Sequence, residues 1–147
     1  MTQKKPPRFR MGAIVSRIHR TLYVLLNGRF VSGRGGVSFL LLSTKGRRSH
    51  RMKTVPLLYL MHSGDPSVIA SKGGSHQAPD WLLNIRNDPE VRVQIGGARR
   101  EGTARIASEE EREALWPRFV ECYPGYEGYQ AQTTRRFPIV IITRSEG

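Results

Sequence analysis

Apolar and polar positions change period several times along this chain. Between Met11 and Phe30, Ile14, Ile18, Leu22 and Leu25 recur at spacings of four, four and three. That is the period of one face of an α-helix. Arg17 and Arg20 lie off the stripe, so residues 11–30 predict a basic amphipathic helix. Such a face either packs on a core or lies on an anionic membrane surface. Residues 1–10 are basic and contain Pro6-Pro7, which predicts a flexible arm. Gly33 to Gly36 break the chain. Three apolar runs of strand length follow, predicting strands at about 37–44, 54–62 and 67–71.

The period then alternates. Pro79 and Asp80 suit the first turn of a short helix with Trp81, Leu82 and Ile85 facing inward, and Asn87-Asp88-Pro89 ends it. Val91, Val93 and Ile95 alternate with Arg92 and Gln94, as in a half-buried strand. Gly96-Gly97 predicts a hairpin to a strand at about 98–107. Ser108 and Glu111 form a capping box opening a helix that carries Leu115, Trp116, Phe119 and Val120 to the core. Pro117 should bend or interrupt that helix, and Pro124-Gly125 should stop it. Ile139 to Ile142 read as a last buried strand. About six short strands with tight turns and no βαβ alternation predict a mostly antiparallel α+β barrel with peripheral helices, one domain over 31–147.

Charge changes the picture. The 147 residues carry a net charge of +12, and no Asp or Glu precedes Asp65. The first 64 residues hold 13 of the 24 Lys and Arg, so the basic excess lies in the first half. Its expected partner is anionic: nucleic acid, an acidic membrane surface or a polyanionic cofactor. No apolar run approaches the roughly 20 residues of a membrane span. No cleavable signal is evident. The single cysteine, Cys122, rules out an internal disulfide and a multi-cysteine metal site, and fits a buried position in a cytoplasmic protein.

Candidate chemistry concentrates in three places. Lys45 to Lys53 holds five cations in nine residues and no acid. Strands at both ends would let Arg47, Arg48 and Lys53 converge on an anion. Ser71-Lys72-Gly73-Gly74 at a strand end offers backbone amides and one ammonium to a phosphate, or is an ordinary turn. Tyr123, Tyr126 and Tyr129 recur every third residue in a segment too rich in Gly and Pro for a stable helix. They predict a mobile aromatic wall or a cluster pinning a loop. His19, His50, His62 and His76 have no metal-ligand spacing, so no metal is expected. With no paired carboxylates and no nucleophile elbow, an imported cofactor would supply the chemistry.

Six motifs in register extend these features. They are Gly46-Arg47-Arg48-Ser49, Pro56-Leu57, Ala70-Ser71-Lys72-Gly73-Gly74, Pro79-Asp80-Trp81-Leu82-Leu83-Asn84, Asn87-Asp88-Pro89-Glu90-Val91 and Tyr123-Pro124-Gly125-Tyr126. In this order and spacing the chain, from about Pro6 to Thr143, resembles the actinobacterial deazaflavin-dependent nitroreductases, quinone reductases that use coenzyme F-420. The resemblance implies a split β-barrel like that of flavin-binding oxidases. It implies a cofactor whose tail carries a phosphate and several glutamates, the polyanion that the basic half suits.

By similarity, Arg47, Arg48, Ser49, Lys53 and Lys72 contact phosphate and glutamates. Thr54, Val55, Pro56, Leu57 and Leu58, with Ile69, Ala70 and Ser71, wall the deazaflavin. Asp80, Trp81, Leu82, Leu83 and Asn84 close the site, with Trp81 and Asn84 the expected side-chain contacts. Tyr123, Tyr126, Tyr129 and Leu58 border the substrate. Tyr126 or Ser71 would donate the catalytic hydrogen bond.

The resemblance implies hydride transfer from reduced coenzyme F-420 to a quinone-like or nitroaromatic acceptor. Family nitroreductases often have Asn-Pro-Leu-Tyr where this chain has Val55-Pro56-Leu57-Leu58. Losing that hydroxyl points away from bulky nitroimidazoles, while an apolar wall suits a quinone. The amphipathic N-terminal helix would bring the enzyme to the inner face of the cell membrane. Two other readings are a nucleic-acid-binding barrel and a deazaflavin carrier without turnover. The first is disfavoured because the tyrosines lie in the neutral half, away from the cations.

Overall fold

A computed structural model of the chain describes residues 38–145. The expected basic arm, the N-terminal helix and the Gly33 to Gly36 break lie outside these residues. Seven strands form one antiparallel sheet in the order β2-β1-β5-β6-β7-β4-β3. They are β1 (Phe39–Lys45), β2 (Met52–Leu58), β3 (Leu60–His62), β4 (Asp65–Ile69), β5 (Glu90–Ile95), β6 (Ala98–Ile106) and β7 (Ile139–Arg144). Three α-helices accompany them among the described residues: α1 (Asp80–Asn87), α2 (Glu109–Cys122) and α3 (Gly125–Ala131).

The single strand expected at 54–62 is two strands. The β1–β2 ladder ends at Tyr59, whose N–H donates its last bond to the Ser38 carbonyl at 3.0 Å. This break decides the architecture. β2 and β3 are the opposite edges of the sheet, yet only Tyr59 separates them in sequence. The sheet must therefore roll until its edges meet there, and no ladder joins β2 to β3. The result is an open, split barrel. Pro56 is tolerated in β2 because an edge strand leaves one side without ladder bonds.

Alternation along the strands feeds two apolar clusters. Leu40, Leu42, Val68, Ala70, Val91, Val93, Val140 and Ile142 meet Trp81, Leu82 and Ile85 of α1. Leu58, Ile69, Ile139 and Ile141 meet Leu115 and Phe119 of α2, Tyr126 of α3, and Phe137. β7 is buried on both faces, which explains its unbroken apolar run. The Gly96-Gly97 hairpin forms as expected, with Ile95 opposite Ala98.

Helix α2 opens on the expected capping box. Glu111 N–H donates to Ser108 Oγ at 3.2 Å, and Ser108 N–H donates to Glu111 Oε1 at 3.0 Å. Pro117 does not interrupt α2. Both Pro117 and Glu113, whose carbonyl loses a partner to the proline, are exposed to water.

The tyrosine segment corrects the sequence reading more strongly. Residues 125–131 are helical, not an irregular wall. Tyr126 packs edge-on to Phe119, with centroids 6.1 Å apart, and to Tyr123, 5.2 Å apart. Burial of these rings outweighs the poor helix propensity of Gly125 and Gly128.

Candidate functional site

The loop from Gly46 to Arg51 is closed by its own backbone. Gly46 N–H donates to Arg51 O at 2.8 Å, and His50 N–H donates to Gly46 O at 2.9 Å. A Cβ at Gly46 would lie 2.4 Å from Ser49 Oγ and 3.2 Å from Arg51 O, so any other residue there would displace the Ser49 side chain. Arg47, Arg48, Ser49 and Lys53 line a cleft of about 210 Å³ with Gly46, Asp80 and Asn84. Four of the five residues expected at the anionic tail are thus brought together.

Asn84, expected at the cofactor, also braces the loop from inside the protein. It is only 2% exposed, so its amide needs partners inside the protein. Its Oδ1 accepts from Arg47 N–H at 3.1 Å and from Arg47 Nη1 at 3.2 Å, and its Nδ2 donates to Thr44 Oγ1 at 3.1 Å. Asn84 therefore fixes Arg47 to the end of β1. Asp80 adds a contact at 3.6 Å to Arg47 Nη2 and is largely exposed at the cleft rim. Trp81 and Leu82 face the α1 cluster, and Leu83 is half-buried. Trp81, expected as a side-chain contact of the cofactor, packs in this cluster and is 7% exposed.

The expected ring wall on β2 divides by strand parity. Val55 and Leu57 pack on the α1 cluster with Ala70 and Trp81. Leu58 belongs to the α2–α3 cluster with Ile69, Tyr123, Tyr126 and Tyr129. Thr54 Oγ1 is 2.6 Å from Ser43 Oγ on β1, and Pro56 is half-buried on the edge strand. The side chains expected at the deazaflavin and those expected at the substrate thus fall largely into two sets. Leu57 and Leu58, adjacent in the chain, divide between them.

The second basic element follows β4. Ser71 is right-handed (φ −89°, ψ −37°), and Lys72, Gly73 and Gly74 all have positive φ (47°, 60° and 83°). Lys72 is exposed. A right-handed residue followed by a left-handed one makes successive backbone N–H groups converge, a concavity suited to an anion. Gly74 seats the turn on α3: a Cβ there would lie 2.9 Å from both the Cα and the carbonyl oxygen of Tyr129.

Sequence reasoning missed Arg135. Its guanidinium donates to Ala70 O at 2.9 Å, to Ser71 O at 2.7 Å and twice to Ser75 O at 3.2 Å. Burial lowers its pKa, with Arg86 adding to the effect, yet a guanidinium stays charged in a protein. The adjacent Arg136 pairs with exposed Glu109 instead. Nothing in the local sequence distinguishes these two arginines.

The tyrosine hydroxyls are set up as donors. Tyr123 Oη and Tyr129 Oη are 2.8 Å apart. The Tyr129 phenol is pushed up to about 12, first by its hydrogen bond with Tyr123 and then by burial. Burial, reinforced by Tyr123 and Tyr129, drives the Tyr126 phenol further above its ordinary value. Both keep their protons at physiological pH. A larger groove of about 360 Å³ lies beside Arg112, Trp116 and Arg136. Its arginines are engaged, Arg112 with the Phe137 carbonyl and Arg136 with Glu109, so it offers no free cation pair.

Comparison with known proteins adds to this geometry. A family model described as F420H(2)-dependent quinone reductase matches residues 15–144. An F420H(2)-dependent quinone reductase of Mycobacterium tuberculosis is 31% identical over 139 residues, covering 91% of this chain and 93% of that one. A second M. tuberculosis protein, a candidate quinone reductase by name, is 37% identical over 109 residues, 74% of this chain and 92% of its own. The solved structure of an F420-H2 dependent reductase, FDR-A, superposes with a TM-score of 0.65 at 38% identity. It covers 71% of this chain and 93% of its own.

Proposed function

The chain belongs to the F420H(2)-dependent quinone reductase family, and we propose that it moves a hydride from reduced coenzyme F-420 to a quinone. The observation that carries this reading is the pair of anchored basic elements, the Arg47 cleft and the Lys72 turn, each held by a side chain from elsewhere in the fold. A compact phosphate fits the backbone donors and ammonium at the turn. A chain of carboxylates fits the side-chain cations of the cleft. Arg47, Arg48, Ser49 and Lys53 would hold the glutamate tail, and Lys72 the phosphate.

When bound, the reduced deazaflavin supplies the hydride. The protein's contribution is alignment and electrostatics. Val55 and Leu57, both half-buried, offer an apolar wall for the ring. Leu58, Tyr123, Tyr126 and Tyr129 border the acceptor. Tyr126 or Ser71 donates a hydrogen bond to the oxygen where negative charge develops, and the raised tyrosine pKa keeps that donor protonated. Apolar Leu58 favours a quinone over a bulky nitroaromatic. Titration with reduced coenzyme F-420, followed by addition of a quinone, tests the reading. Saturable binding and stoichiometric oxidation on quinone addition are expected. Affinity for FMN equal to that for F-420 would defeat the polyanion argument.

The same proposal places the enzyme at an anionic membrane surface. Residues 1–30 carry seven cations, no acid and the apolar stripe of Ile14, Ile18, Leu22 and Leu25. Each cation near such a surface contributes about 1 kcal/mol. No helix among the described residues is long and apolar enough to cross a membrane. Full-length protein is expected to sediment with anionic liposomes at low salt, and protein lacking residues 1–30 to stay in the supernatant. Full-length protein that ignores the liposomes ends this part of the proposal.

A further inference from the structure

The turn after β4 is shaped by a residue far from it in sequence. Arg135 lies between α3 and β7, and its guanidinium reaches three carbonyls of the Ala70–Ser75 segment. No cis peptide occurs among the described residues, so each carbonyl points opposite to the N–H of the following residue. Drawing Ala70 O and Ser71 O toward Arg135 therefore turns the N–H groups of Ser71 and Lys72 the other way. The cation behind the turn also polarises both peptides with their positive ends outward, as a helix N-terminus does.

Arg135 is itself held in place. Its N–H donates to Thr133 Oγ1 at 3.1 Å, and its carbonyl accepts from Gln130 Nε2 at 2.8 Å. Its guanidinium lies 4.7 Å from the centroid of the Phe137 ring, which is fully buried. A fork that meets three carbonyls at fixed angles is a task for guanidinium, not for ammonium.

We propose that Arg135 is a positioning residue for anion binding: it holds the Ala70–Ser75 turn so that the Ser71 and Lys72 amides face the phosphate of the bound cofactor. This rests on the reading of the turn as the cofactor's phosphate site. Arg135 touches only the protein and acts through the backbone it orients.

The test uses full-length wild type, Arg135→Lys, Arg135→Gln and Arg135→Ala, with coenzyme F-420 titrations at a temperature where each is folded by circular dichroism. Arg135→Gln is expected to weaken F-420 binding by about tenfold or more, the scale of a charge-assisted hydrogen bond. It should raise the cofactor KM while leaving kcat nearly unchanged. Arg135→Lys keeps the charge and loses the fork, so it should recover only part of the affinity. Millimolar guanidinium chloride should restore binding to Arg135→Ala, with an equal concentration of sodium chloride as control. Folded Arg135→Gln with wild-type affinity, or equal affinity in Arg135→Lys and wild type, overturns the proposal. If Arg135→Gln does not fold, the Arg135→Lys titration decides.

A separate titration with inorganic phosphate, read at the Ser71 and Lys72 amides by NMR, distinguishes the two levels of inference. Wild-type protein that does not bind F-420 but shows phosphate-dependent shifts, weakened in Arg135→Lys, would sink the cofactor reading and keep the role of Arg135. Shifts that persist unchanged in Arg135→Lys would sink the role of Arg135.

Discussion

The Gly46–Arg51 loop and the Ala70–Ser75 turn are both basic, and each is held by one side chain reaching in from elsewhere. They are held in opposite senses. Asn84 accepts from the Arg47 main chain and side chain, so it uses donors of the loop. What the loop then presents is side-chain charge, from Arg48 and the remaining guanidinium of Arg47, beside Lys53 of β2. In the turn Arg135 bonds only carbonyls, so it uses acceptors and leaves backbone donors facing outward. Side-chain cations on long stems tolerate varied geometry and are screened by salt. Backbone amides act at short range and demand a compact anion. Under the proposed function, the cleft would meet a flexible carboxylate chain and the turn a phosphate, through two differently built sites.

The largest expected effect separates the turn from the rest of the basic half. Lys72→Ala should cost roughly 1.5–3 kcal/mol of coenzyme F-420 binding, whereas Arg17→Ala should cost far less. Calorimetric titration of both variants checks this, and equal losses would mean that the phosphate has been misplaced.

Asn84→Ala should come next. It strands Arg47 N–H and the buried Thr44 hydroxyl, a loss of about 1–3 kcal/mol in stability. Thermal unfolding should show a lower midpoint, and cofactor affinity should fall with it. An unchanged midpoint would mean that the loop holds itself and needs no brace.

A smaller effect of opposite sign tests whether the cleft recognises charge. Asp80 places a carboxylate 3.6 Å from Arg47 Nη2, where a tail carboxylate would bind. Replacing it by Asn should tighten F-420 binding by up to about 1 kcal/mol, the worth of an exposed pair, and most clearly at low salt. Weaker binding by Asp80→Asn would show that Asp80 contacts the cofactor instead of competing with it.

The smallest effect serves as a control away from both loops. The Glu111 carboxyl is held down at about 2, first by the Arg105 hydrogen bond and then by Ser108 N–H. A depressed folded pKa contributes stability above the unfolded value of 4.5, and that contribution is lost as pH falls toward 2. Glu111→Gln should therefore show a shallower fall of melting temperature between pH 4.5 and 2, with cofactor affinity at neutral pH unchanged. An altered affinity would mean that α2 communicates with the anion site.

What the sequence determined by itself is what neighbouring residues encode. The capping box needs only Ser108 and Glu111, three positions apart, and it formed as read. The Gly96-Gly97 hairpin and the alternation of β5 are equally local. The six motifs marked the family, and charge asymmetry marked the anionic partner. Tertiary structure decided the rest. Tyr59 splits one apolar run into two edge strands because the rolling of the sheet, not the run's hydrophobicity, sets where the ladder ends. Residues 125–131 are helical because Tyr126 packs on Phe119 of α2 and, with Tyr129, on Tyr123 just after it, a gain that propensity does not contain. Asn84 sits in a recognisable motif, but its task depends on Arg47, 37 residues away. Arg135 and Arg136 are indistinguishable as letters. One of them meets carbonyls 60 to 65 residues distant, and only the fold brings those carbonyls to it.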